Sequence, residues 1–156
     1  TPLMLQLMVV YYGPYFLWRA DIGGFRYPAI ILAFSINYAA YFAEIYRSGI
    51  ESMPKGQYEA AEVLGYTKAQ TFVFIILPQV IKRVLPSITN EMVTLVKDTS
   101  LAFSLAYMEM FTIAKQIAAK ETTFVPFAVA AIFYFIFNWL VSAGMTRLEE
   151  KLNYYR

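Results

Sequence analysis

The chain has 156 residues, of which 59% are hydrophobic, 18% aromatic and only 15% charged, and its formal charge is +2. Soluble domains carry about a quarter charged residues, so this composition describes a chain surrounded by lipid. Without Cys or His it excludes disulfides, thiolate or imidazole metal sites and Ser-His-Asp or Cys-His nucleophile pairs; it also lacks a glycine-rich phosphate cradle and any basic cluster that would argue for nucleic acid.

Thr1–Trp18, Tyr27–Ala43 and Thr122–Thr146 contain no charged residue. Each is close to the ~20 apolar residues needed to cross a hydrocarbon core. The chain is therefore expected to be an all-α integral membrane protein forming one transmembrane domain. Thr1 opens inside a hydrophobic run, with no Met and no charged leader, which predicts a domain incomplete at its N-terminus.

In chain order, residues 1–18 read as a helix relieved near Gly13-Pro14. The Arg19–Arg26 segment is a polar turn with paired glycines, and Pro28 suits the first turn of the next helix, about 29–49. A polar loop follows, about 51–78. Pro78 and Pro86 are expected to break the apolar stretch after it into pieces. Residues 87–104 are helical by pattern, Leu105–Thr123 is a short interfacial helix plus loop, and 124–146 is a spanning helix before the charged tail Arg147–Arg156. Arg47, Lys55, Lys68, Lys82 and Arg83 around the central loop, with Arg147, Lys151 and Arg156 in the tail, assign both regions to the cytoplasm.

Two polar seams run through the apolar helices. At ~100° per residue, Ala33, Asn37, Ala40, Glu44 and Arg47 share about a quarter of one helix surface. Small residues on such a stripe favour close packing, and Glu44 with Arg47 could instead form a gating ion pair. Ser87, Asn90, Glu91, Thr94, Lys97 and Asp98 share about a third of the later helix. Asp98 lies ~18 Å beyond Pro86, near the midplane of a ~30 Å core, where ionisable groups mark a pathway or neutralise each other as a Lys97–Asp98 pair.

Within the central loop, Tyr58–Leu64 consists of strong helix formers, with Gly65 as the stop. Ala60, Ala61 and Leu64 give it a small, smooth face rimmed by Glu59 and Glu62, suited to a groove on a soluble partner. Glu59-Ala60-Ala61, three residues, Gly65, nine residues, then Ile75, Leu77 and Pro78 resembles the EAA signature of the membrane-spanning subunits of ATP-binding-cassette importers. The flanks resemble the polar amino-acid branch of that family: Thr1-Pro2-Leu3 with Gln6-Leu7 and Tyr11-Tyr12-Gly13, Ala43–Ile50, Leu77–Leu101, and the ending from Leu148.

The resemblance implies a type I importer bundle in the bacterial plasma membrane. Glu59, Ala60, Ala61, Leu64 and Gly65 would belong to the coupling helix that seats on a cytoplasmic ATPase subunit. Lys97, Asp98, Thr99 and Ser100 would lie beside the central cavity, and with Glu91 and Thr94 they are the expected substrate pathway. It further implies a second permease subunit, identical or homologous, an extracytoplasmic solute-binding protein and a polar amino-acid cargo. ATP and Mg would sit on the ATPase, leaving this chain no cofactor and no enzymatic step of its own. Two other readings of the polar residues remain at this stage. One is an ion-coupled secondary transporter fragment using Glu44, Glu91 and Asp98, and the other is a membrane anchor without a passage.

Overall fold

The computed structural model describes residues 1–152, and among these every regular element is helical. The elements are α1 (Leu3–Trp18), α2 (Arg26–Glu51), α3 (Lys55–Val63), α4 (Lys68–Leu105), α5 (Met110–Glu121) and α6 (Val125–Leu152). Three of them, α2, α4 and α6, are long and apolar enough to cross a membrane, while α1 is a shorter apolar helix. Pro28 falls in the first turn of α2, as its missing donor favours. The helix of the C-terminal segment runs past the expected end at residue 146, so Arg147 and Lys151 belong to its last turns. Arg156 lies outside the described residues.

The largest departure from the sequence reading concerns the prolines. Pro78 and Pro86 do not break the chain: α4 is continuous over 38 residues. It begins with a capping box, in which Thr67 Oγ1 accepts from the Gln70 amide and Gln70 Oε1 accepts from the Thr67 amide. Thr71–Ile76 then forms a π-helical turn, in which the Leu77 amide donates to the Phe72 carbonyl. This wider turn changes the hydrogen-bond register just before Pro78, whose nitrogen has no proton to give. The helix persists past Pro86 as well. The last seven residues, Thr99–Leu105, tighten into a 3-10 helix.

At ~1.5 Å per residue α4 reaches about 55 Å, well beyond a ~30 Å hydrocarbon core. One end must therefore project from the membrane, and its Lys68 end carries the polar segment with α3. Left-handed residues at Arg19, Ala106 and Thr122 end α1, α4 and α5.

Two apolar clusters fix the arrangement. Leu3, Leu7 and Tyr11 of α1 meet Ala29, Ile30 and Ala33 of α2 and Ala102 and Leu105 at the end of α4. At the opposite end Met53, Ile76, Val80 and Val84 form the second cluster. Helix α6 packs along α4 and α5, and its outward side chains, Phe135 and Trp139 among them, stay exposed, as lipid-facing residues should. Helices α2 and α4 approach closely at Gly49, where an added Cβ would clash with Val84 Cγ1 and sit 3.2 Å from Val80 Cγ1. Valine is stiff about its first side-chain bond and cannot swing aside. Gly49→Ala should thus cost about 1–3 kcal/mol of stability through overpacking. Unfolding of the purified chain in mixed detergent and SDS micelles measures this, and Val84→Ala in the same chain should recover most of the loss.

Candidate functional site

The polar residues of α2 and α4 meet midway along the bundle. The Tyr38 hydroxyl donates to Asp98 Oδ2 at 2.9 Å, joining α2 to α4. One residue earlier, Asn37 is 8% exposed, and its Oδ1 accepts from Gln6 Nε2 of α1 at 3.1 Å. Three helices are thus tied by two adjacent side chains, and groups that hydrocarbon would leave unsatisfied find partners in one another. Between the helices lies a cavity of about 320 Å³, walled by Asn37, Tyr38, Tyr41, Glu91, Thr94 and Asp98 together with the first residues of the chain. The Thr94 hydroxyl donates back to the Asn90 carbonyl.

The expected pathway residues divide in this geometry. Glu91, Thr94 and Asp98 line the cavity, whereas Lys97 is exposed and does not. The salt bridges among the described residues do not include a Lys97–Asp98 pair, because side chains one residue apart on a helix diverge by ~100°. Thr99 and Ser100 turn back onto their own helix, donating to the carbonyls of Val96 and Lys97, and lie beside Tyr134 of α6.

The α2 stripe stays largely together. Ala33, which is fully buried, Asn37, which is bonded to Gln6, Ala40 and Glu44 all line one open groove of about 870 Å³ between α1 and α2, and Arg47 does not. Glu44 and Arg47 do form an ion pair, and Arg47 Nη1 also donates to Glu51 Oε1 at 3.0 Å. All three are exposed, so the triad is worth little in stability but keeps the Arg47 charge occupied.

Helix α3 packs on the π-helical turn of α4. Ala61 is 1% exposed, so this alanine faces the molecule itself and is not part of the outward face expected from sequence. Glu59 and Ala60 are exposed, and Leu64 is 73% and Val63 87% exposed. Gly65 adopts φ +79°, a left-handed conformation suited to glycine, and its amide donates to Glu62 while the Tyr66 amide donates to Ala61. The result is a short helix whose tip presents uncovered apolar side chains beyond the end of a membrane-length rod.

Sequence reasoning passed over Tyr38, Gln6 and Tyr41. A carboxylate at membrane depth requires a donor, and a search for a hydroxyl on the neighbouring helix would have found Tyr38. Thr89 donating to Glu149 Oε1 at 2.8 Å, which ties α4 to α6, was equally unannounced.

The sequence model of the family described as binding-protein-dependent transport system inner membrane component matches residues 1–154. The chain belongs to that family. Among family relatives, the L-cystine transport system permease protein TcyB of Bacillus subtilis (strain 168) is 37% identical over 99% of this chain and 66% of its own length. A putative glutamine transport system permease protein, GlnP of Rickettsia bellii (strain RML369-C), is 39% identical over 97% of this chain and 69% of its own. The chain thus spans about two thirds of the length of these relatives. A solved structure, described as the crystal structure of an amino acid ABC transporter with histidines, superposes with TM-score 0.85 at 32% identity, covering 97% of this chain and 70% of that one. The family's architecture is therefore the architecture seen here, an all-α membrane bundle. Membership in a binding-protein-dependent transport family favours the importer reading of the chain over an ion-coupled secondary transporter.

The contact at the centre yields a measurable coupling. In a double-mutant cycle with Tyr38→Phe and Asp98→Asn, SDS-unfolding stabilities should show an interaction of about 0.5–1.5 kcal/mol, the range for hydrogen bonds between helices in lipid. Strict additivity would mean that the hydrogen bond contributes nothing to holding α2 on α4.

Proposed function

We propose that this chain is the membrane-spanning subunit of an ATP-driven importer for polar amino acids, with α3 as its coupling helix. The observation that carries the reading is the exposed tip of α3. Its EAA sequence is held on the projecting end of α4, apolar side chains face outward, and a left-handed Gly65 terminates it. A surface of this kind fits a groove in a soluble partner. The partner is a cytoplasmic ATPase subunit, which binds ATP and Mg and performs the hydrolysis. Closure of the ATPase dimer pushes on α3, and α4 carries the displacement to the cavity.

In this reading the loop around α3 and the end of α6 are cytoplasmic, consistent with Lys55, Lys68, Lys82, Arg83, Arg147 and Lys151 lying there. A solute-binding protein delivers cargo at the opposite face, and a second permease subunit completes the pore. Glu91, Thr94 and Asp98 contact the cargo. Lys97, Thr99 and Ser100 flank the pathway, with the 3-10 turn held against Tyr134. Glu44 and Arg47, with Glu51, form an ion-pair cluster towards the cytoplasmic end that can rearrange as the passage opens.

The test uses the assembled importer reconstituted in lipid with its ATPase and binding protein, assayed for ATP hydrolysis and uptake against a panel of amino acids. One or a few amino acids should stimulate hydrolysis. Gly65→Trp replaces a residue in a left-handed turn and adds bulk at the docking tip, so coupled uptake should fall roughly tenfold or more while the membrane helices still assemble. Charge reversal by Glu59→Lys should act in the same direction. Normal coupling in both variants would remove α3 as the docking element.

A further inference from the structure

A second polar pocket, of about 400 Å³, lies between α2 and α4 towards the loop that carries α3. Glu44 and Ser48 of α2 face Arg83 and Ser87 of α4 across it, and Gly49 and Val84, where the two helices touch, share its wall. Arg83 lies about 22 Å along α4 from Asp98 at ~1.5 Å per residue, so this space is separate from the cavity at the centre. Arg83 is held from one side: its Nη1 donates to the Ser52 carbonyl and, at 3.0 Å, to the Ser52 hydroxyl. Among the described residues its Nε and Nη2 have no hydrogen-bond partner, and no salt bridge includes it. Those two nitrogens form an edge of the planar guanidinium that takes both oxygens of a carboxylate. The Ser48 and Ser87 hydroxyls are likewise bonded to no other described residue. Glu44 supplies the opposite charge: Arg47 occupies one site on each of its oxygens and leaves further acceptor sites open. The pocket also continues the polar space above it. The central cavity and the groove between α1 and α2 share Asn37 and Tyr41, and that groove and this pocket share Glu44.

Resting on the importer reading, we propose that this pocket is an exit site, where a released amino acid lodges with its α-carboxylate on Arg83 and its α-ammonium on Glu44. Both groups belong to every α-amino acid, so the site reads the main chain and is indifferent to the side chain. With Glu44 on α2 and Arg83 and Ser87 on α4, the zwitterion ties the two helices together beside the Gly49 contact. A ligand that bridges two helices at one spacing stabilises that arrangement, so movement of α4 against α2 waits for its departure. Amino acid accumulated on the ATPase side therefore slows further uptake. Glu44 and Arg83 are solvent-exposed, which keeps the binding weak and fills the site only once cargo has built up. Inorganic phosphate would meet Arg83 but bring no cation for Glu44.

The test uses the assembled importer in proteoliposomes, with ATP in the lumen beside the ATPase and the binding protein outside. The lumen is preloaded with L-glutamine, with L-glutamine α-amide, which keeps the ammonium and loses the carboxylate, or with inorganic phosphate. The initial rate of uptake is compared with that of vesicles lacking the preload. L-glutamine should slow uptake, and the amide should need roughly tenfold or more the concentration for the same slowing, the loss expected for charge-assisted hydrogen bonds. Phosphate should have no effect. Arg83→Lys keeps the charge but loses the fork, and should raise the half-inhibiting L-glutamine concentration roughly tenfold. Ser87→Ala leaves the Arg83–Ser52 bonds in place and should raise it about threefold. Glu150→Gln, which removes an exposed carboxylate on α6, should leave it as it was.

No slowing by L-glutamine, equal slowing by its α-amide or by phosphate, or a half-inhibiting concentration unmoved by both Arg83→Lys and Ser87→Ala would each overturn the proposal. Slowing that vanishes when the vesicles contain phosphatidylethanolamine would give the pocket to a lipid headgroup and overturn it too. The parent reading is scored separately. If amino acids drive coupled uptake that is indifferent to the preload, the exit site falls and the permease stands. If no amino acid stimulates hydrolysis or uptake, both fall.

Discussion

Everything in this molecule depends on how α2 lies on α4. In lipid there is no hydrophobic force to press two apolar helices together, so their association must come from close packing and from polar groups that have nowhere else to turn. The pair uses one device at each end. Towards the loop, Gly49 lets the backbone of α2 settle against Val80 and Val84. Deeper in, the Tyr38 hydroxyl holds the Asp98 carboxylate. The first contact is pure shape and the second pure polarity. Together they set the register of the two helices, and α1 then joins through the Gln6–Asn37 bond and the cluster around Leu7.

That register decides which polar residues can act together. Along α4 the seam from Ser87 to Asp98 looks uniform on a helical wheel, yet only Glu91, Thr94 and Asp98 reach the cavity that α2 helps to enclose. Ser87 lies instead by Gly49 and Arg83, near the polar loop. The 3-10 turn at the far end directs Thr99 and Ser100 towards α6, which is also tied to α4 by Thr89 and Glu149. A seam drawn on one helix becomes several environments once its neighbours are in place.

Much of this was legible in the residues. Charge-free runs marked α1, α2 and α6 but not the charged rod α4, Gly65 was expected to end the short helix α3 and does, and helical periodicity put Glu91, Thr94 and Asp98 on one face. The errors have separate causes. Pro78 and Pro86 were expected to interrupt the helix, but a π turn changes the hydrogen-bond register ahead of Pro78 and the helix runs on through both. Ala61 was placed outward because periodicity names a face without saying what covers it. Tyr38 went unnoticed because a tyrosine among Ile, Phe and Ala reads as one more apolar ring. Its function appears only when the helix opposite supplies a carboxylate.

The uninterrupted course of α4 has a mechanical consequence. Gly49 touches it at Val84, which stands about 24 Å from Lys68 and about 21 Å from Asp98 along the axis, at ~1.5 Å per residue. The contact divides the Lys68–Asp98 part of the rod into two nearly equal arms, and a glycine presents no side chain to resist rolling. A rigid tilt about this fulcrum moves the α3 end and the Asp98 end by similar amounts in opposite directions. Two ångströms of displacement delivered outside the membrane would then reappear, reversed and only slightly reduced, at its centre.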